Sequence, residues 1–136
     1  MKILVIDGQG GRVGKLLVEQ IRLRLPGAEI TAVGTNVIAT SAMLKAGADQ
    51  GATGENPVVY NCQEADVIVG PIGIVMANSL LGEITPVMAQ AIGQCTAHKI
   101  LVPVSRCRHT IVGMQNLSMS EYTQLAVEEI IAFGRK

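Results

Sequence analysis

The residues best suited to chemistry lie in Asp7-Gly8-Gln9-Gly10-Gly11-Arg12-Val13-Gly14-Lys15. The apolar run Ile3-Leu4-Val5-Ile6 precedes this stretch and Leu16-Leu17-Val18 follows it. A buried strand therefore passes through a glycine-rich turn into a helix. Backbone N–H groups and the positive end of the helix dipole converge at such a turn, which is where a phosphate binds. Gly8 allows a tight turn off the strand. Gly10 or Gly11 lets a phosphate approach the backbone with no Cβ in the way, and Gly14 lets the helix pack closely on the sheet. The competing reading is a strand-to-helix turn that binds nothing.

The glycine register decides between phosphate motifs. G-x-G-x-x-G fails, because Val13 stands at its third glycine, whereas G-x-x-G-x-x-G fits at Gly8, Gly11 and Gly14. This variant is similar to the first loop of dihydrodipicolinate reductases and of extended short-chain dehydrogenases, with Gly11-Arg12-Val13-Gly14 closest to the reductases. That resemblance covers only the first strand, loop and helix. It implies cofactor binding and leaves that enzyme's reaction unsupported, since the reductases' catalytic residues sit in a second domain with no counterpart here. Gly10 to Lys15 also looks like part of a P-loop, but Gln9 replaces its first glycine and Leu16 its Mg²⁺-binding Ser or Thr.

Other candidates follow other strands. Thr35 and Asn36 stand where dinucleotide folds place an acid on the ribose hydroxyls. The missing carboxylate removes a group that would repel a 2′-phosphate, and Arg12 or Lys15 could reach one. These residues therefore tilt the expected cofactor from NAD to NADP. Asn36 is equally readable as a helix cap. Gly70-Pro71-Ile72-Gly73 ends a central strand and is either the floor beneath a cofactor or simple strand termination. Asn78 and Ser79 interrupt an apolar run, facing a ligand or an exposed helix side. Thr53-Gly54-Glu55-Asn56 reads as a loop covering the ligand or as a polar turn. Asp7 is a ribose or metal ligand, or a strand-end Asp bonding its own turn. Arg106 is a phosphate or carboxylate partner within the basic turn Arg106-Cys107-Arg108-His109. Cys107 and His109 are two potential metal ligands with no cluster to complete them, so no metal site is read. No Ser-His-Asp arrangement or carboxylate pair identifies a catalytic residue.

The elements that must position these groups alternate along the chain. Strands are expected at 2–6, 29–34, 58–60, 66–69 and 100–104, with an outer strand at 110–114. Helices are expected after Gly11, over 37–46, 75–81 and 86–95, and from the capping box Ser118-x-x-Glu121 to the C-terminal end. Residues 47–57 read as a long loop. The pattern predicts one Rossmann-like, doubly wound, mostly parallel α/β sheet of five or six strands, in order near 3-2-1-4-5, with helices on both faces. Ligands in such folds bind beyond the carboxyl ends of the strands, here at 7–14, 34–36, 61–62, 70–73 and 105–109.

Composition narrows the partners. The 136 residues suffice for one domain, and Tyr60, Tyr122 and Phe133 are the whole aromatic inventory. Eleven basic residues balance eleven acidic ones. Neither a basic stripe nor stacking aromatics favour nucleic acid. The longest uncharged stretch, Val67 to Gly82, is 16 residues and broken by Pro71, too short to span a membrane. Asp7 interrupts the first apolar run, so no signal peptide is expected. Three cysteines without framework spacing suit a reducing cytoplasm.

Over nearly its full length the chain resembles a family of small bacterial proteins known only as a domain of unknown function. The resemblance rests on Ile6-Asp7-Gly8-Gln9-Gly10-Gly11, Gly34-Thr35-Asn36, residues 39–48, Gly51-Ala52-Thr53-Gly54-Glu55-Asn56, Gly70-Pro71-Ile72-Gly73 and Ala77-Asn78-Ser79. It implies no activity. The leading expectation is a domain that binds NADP(H) or another adenine nucleotide, working as a minimal oxidoreductase if a second subunit of a homodimer completes the site. The alternative is a non-enzymatic ligand sensor or partner subunit; a P-loop-like ATPase ranks third.

Overall fold

The computed structural model describes residues 1–104 and 108–136. The strands are β1 (Lys2–Asp7), β2 (Glu29–Gly34), β3 (Gln50–Thr53), β4 (Val67–Pro71) and β5 (His98–Val102). The helices are α1 (Arg12–Arg24), α2 (Val37–Ala46), α3 (Glu55–Cys62), α4 (Pro86–Gln94) and α5 (Met119–Gly134). A 3₁₀ turn over Ile72–Val75 follows β4. All pairings are parallel and the sheet order is β3-β2-β1-β4-β5, as the alternation of apolar runs predicts. No helix among the described residues is long and apolar enough to cross a membrane.

Strand periodicity divides the core. Ile3 and Val5 of β1 face one way, into a cluster with Leu17, Ile21, Met43 and Ile130 from α1, α2 and α5. Leu4 and Ile6 face the other way, against Val58, Cys62, Met88 and Ile92 from α3 and α4. With both faces covered, β1 and β4 are buried along almost their whole length and read as unbroken apolar runs.

Local chemistry fixes the boundaries of several elements. Thr85 caps α4 by accepting from the Met88 N–H at 3.1 Å, with Pro86 at the first helical position. Ser118 and Glu121 form the reciprocal capping box of α5. Asn36 caps α2, and Gly47 closes it with φ 123°.

Four expectations fail. Residues 58–60 are helical rather than the third strand. Pro57 falls in the first turn of α3, where its missing N–H costs nothing, and Val58 and Cys62, one turn apart, are buried against the sheet. The third strand is instead Gln50–Thr53, inside the segment read as a loop. Gly51 lets it lie close under α2, since a Cβ there would stand 3.1 Å from Leu44 and Thr40. Residues 75–81 form no α-helix. Asn78, Leu80 and Leu81 take φ values of 67°, 55° and 56°, and the Asn78 N–H turns back to the Ile84 carbonyl at 2.7 Å. Finally, 110–114 is irregular, turning at Gly113 with Val112 almost fully exposed and no strand partner among the described residues.

Two glycines of contrasting surroundings test this packing. A methyl at Gly70 would overlap the Ile6 carbonyl oxygen of the neighbouring strand, whereas Gly93 in α4 has open space. Gly70→Ala is expected to destabilise by about 2 kcal/mol or more. Gly93→Ala is expected to stabilise by about 0.5–1 kcal/mol through helix propensity. Urea unfolding of the two variants checks both.

Candidate functional site

Asp7 ends the central strand with its side chain buried. The Gly8 N–H donates to its Oδ1 at 2.8 Å and the Gly14 N–H to its Oδ2 at 2.7 Å. Gly11, the residue preceding α1, offers no side-chain cap. The Asp7 carboxylate takes that part from beneath and satisfies an otherwise orphaned donor of the first turn. The strand-end carboxylate thus bonds its own turn. Burial pushes Asp7 up to about 6, against the lowering effect of the Gly14 and Gly8 hydrogen bonds and with help from the charge of Glu83.

Between Asp7 and α1 the loop folds as a turn, with the Gly11 N–H bonded to the Gly8 carbonyl at 2.9 Å. Gln9 and Gly11 both have positive φ, 49° and 73°. The glycines divide their duties. A Cβ on Gly11 would stand 2.8 Å from the Ala39 backbone of α2. One on Gly14 would meet Met43 Sδ at 2.5 Å and Asp7 Cβ at 2.9 Å. Both are therefore committed to helix packing. Gly10 alone among the loop glycines has nothing within 4 Å of the position a Cβ would take. The choice between Gly10 and Gly11 as the open backbone thus falls to Gly10.

A cleft of about 660 Å³ opens above this loop, beyond the carboxyl ends of β1 and β4. Gly8, Gln9, Gly10, Gly11, Arg12 and Val13 form one wall, and Pro71 and Gly73 lie at the end of β4. Leu80, Leu81, Val104 and Met119 add an apolar side that the sequence reading omitted. Leu80 and Leu81 are legible as cleft residues only once the 75–81 helix is abandoned. Of the other expected site residues, Gly14 and Gly70 shape the backbone without lining the cleft. Ile72 begins the 3₁₀ turn, and the Asn78 backbone bonds to Ile84. Lys15 does not line the cleft either. Arg106, with Cys107, lies outside the described residues.

Thr35 and Asn36 serve the site indirectly. The Asn36 Oδ1 accepts from the Ala39 N–H at 2.9 Å, so the residue does cap its helix. Its Nδ2 donates to the Gln9 carbonyl at 2.9 Å and to Glu83 Oε1 at 3.0 Å. Thr35 Oγ1 donates to the same oxygen at 2.5 Å, and the Gln9 N–H does so at 2.8 Å. Burial works against the Glu83 charge, but these donors outweigh it and hold the carboxyl below its ordinary range. The premise behind NADP, a strand end without a carboxylate, is therefore corrected. Glu83 supplies one from a turn 47 residues beyond Asn36.

A family profile described as a domain of unknown function (DUF3842) matches residues 2–134. No curated protein matches the chain. Among solved structures, the chain is similar to a dodecameric FMN-dependent UbiX-like decarboxylase from Escherichia coli O157:H7. That match has 17% identity over 96% of this chain and 76% of that one, with a TM-score of 0.49. It is also similar to AibC, at 20% identity over 97% of this chain and 39% of that one, with a TM-score of 0.48. At these identities and scores neither likeness bears on what the chain does.

The raised Asp7 carboxyl has a measurable consequence. Its folded value of about 6 exceeds the ordinary 3.8, so its contribution to stability is complete below the lower value and is lost as pH rises through the upper one. The stability of the protein relative to Asp7→Asn should fall by about 3 kcal/mol between acid and neutral pH. Chemical denaturation of both proteins across that range measures the difference. A flat difference curve would remove Asp7 as the cause.

Proposed function

The chain belongs to the DUF3842 family, a domain of unknown function, and from the geometry of its cleft we propose that it binds an adenine nucleotide, NAD(H) or NADP(H) among them. The supporting observation is the open Gly10 backbone beside the cleft at the strand-order switch between β1 and β4. In doubly wound folds this is where ligands bind. The phosphates would rest on Gly8 to Val13, with Arg12 as counter-charge. Pro71 and Gly73 would floor the cleft, and Leu80, Leu81 and Met119 would face the apolar part of the ligand. The cleft volume suits a ligand of nucleotide size.

A minimal oxidoreductase is one form of this proposal. It requires a second copy to bring acid–base groups, because Asp7 is the sole carboxyl among the described residues lining the cleft. That same scarcity favours a second reading, a ligand sensor whose nucleotide controls assembly. Native mass spectrometry separates the two readings from each other by reporting the oligomeric state with and without nucleotide, alongside an assay of hydride transfer.

Gly10→Ala places a methyl in open space, so folding should be untouched while a phosphate is held off the backbone. The variant should keep the parent melting temperature and bind NAD, NADP or ADP about tenfold or more weakly by calorimetry. Absence of binding by the parent protein to all three would end the nucleotide reading.

A further inference from the structure

Glu83 reaches the glycine loop from the left-handed turn after β4, and its two oxygens are used unequally. Oε1 accepts from the Gln9 N–H, Thr35 Oγ1 and Asn36 Nδ2, while Oε2 has no hydrogen bond among the described residues. The carboxylate is thus fixed by one oxygen and offers the other as a free acceptor. It sits between the loop and the carboxyl end of β2, close against Gly8, whose Cβ position lies 3.0 Å from Oε1. Glu83 does not itself line the cleft but stands at its rim, bonded to the N–H of the lining residue Gln9 and on the same turn as the lining residues Leu80 and Leu81.

A carboxylate in this place has a defined chemical preference. It accepts hydrogen bonds from the vicinal hydroxyls of a ribose whose pyrophosphate lies on the glycine loop, and it repels a 2′-phosphate. We propose that Glu83, at the rim of the cleft, is its specificity-determining residue, accepting the ribose hydroxyls of a ligand that extends past Gln9 through Oε2 and selecting ligands with an unphosphorylated ribose, NAD(H) or ADP-ribose, over NADP(H). This rests on the nucleotide reading above and decides what that reading leaves open. In most dinucleotide folds the acid ends the second strand; here Thr35 and Asn36 hold that place and grip an acid delivered from another segment. The turn that delivers it carries three non-glycine residues with positive φ, Asn78, Leu80 and Leu81. Such conformations are held only where surrounding contacts fix them, and the three donors to Glu83 are among those contacts.

Glu83→Gln isolates the free oxygen. Its amide oxygen can still accept from Gln9, Thr35 and Asn36, so the scaffold is kept, while an amide NH₂ replaces the acceptor and the charge is gone. Calorimetric titration of the parent protein should give NAD and ADP-ribose an advantage of about tenfold or more over NADP. In Glu83→Gln that ratio should shrink toward unity, through weaker NAD binding, stronger NADP binding or both. Circular dichroism and the melting temperature verify that the variant is folded; should it not be, Glu83→Asp, which keeps the charge and shortens the reach, should fold and lower NAD affinity. Equal binding of NAD and NADP by the parent, or an unchanged ratio in a folded Glu83→Gln, overturns the role of Glu83 while leaving nucleotide binding in place. No binding of any of these ligands to the parent overturns both.

Discussion

One buried carboxylate joins the centre of the sheet to everything above it. Asp7 closes β1 and, by accepting from both Gly8 and Gly14, sets the distance between the strand end and the first turn of α1. The glycine loop is the chain spanning that distance. Its shape follows from two fixed ends, and α2 then limits how far Gly11 and Gly14 can carry side chains. The cleft is thus a product of constraint from below. Asp7 holds the loop at its ends, α2 presses on its helical side, and Gly10 is left as the part with room.

The second carboxylate works from above. Glu83 joins the loop to the start of α2 through Gln9, Thr35 and Asn36, although the three contributing segments are far apart in sequence. Asp7 and Glu83 differ in surroundings. The first is almost enclosed and its charge is disfavoured by burial; the second is half-buried and its charge is supported by three donors. Between the lowered range of Glu83 and about pH 6, the two acids near one loop therefore favour opposite protonation states, and in that acidic window negative charge is confined to the β2 side of the cleft.

Much of the fold is legible in the sequence because its signals are local. β2 and α2 are bounded by a strand-forming run, Asn36 and Gly47; α4 and α5 announce themselves through Thr85-Pro86 and Ser118-x-x-Glu121. Sheet order follows from the alternation of strand and helix. The errors fall where tertiary contact overrides local preference. Val58, Val59 and Tyr60 favour strand by type, yet the four-residue step from Val58 to Cys62 packs a helix. Gln50–Thr53 has Thr53 alone to favour a strand by type, and becomes one because Gly51 fits beneath α2. At the site, the glycine loop and Pro71-Gly73 were readable from spacing. Glu83 was not, since no pattern links it to Asn36; the one available signal was an acid beside Gly82.

The brevity of β3 has a bearing on solubility at high concentration. A sheet edge invites pairing with another chain in proportion to the length and apolarity of strand it offers. On this side the sheet ends in four residues, Gln50 to Thr53, containing a glycine and two polar side chains. A segment that entered the fold by fitting under a helix is at the same time a poor template for a sixth strand, so the packing concession at Gly51 also guards the fold against edge-to-edge aggregation on that side.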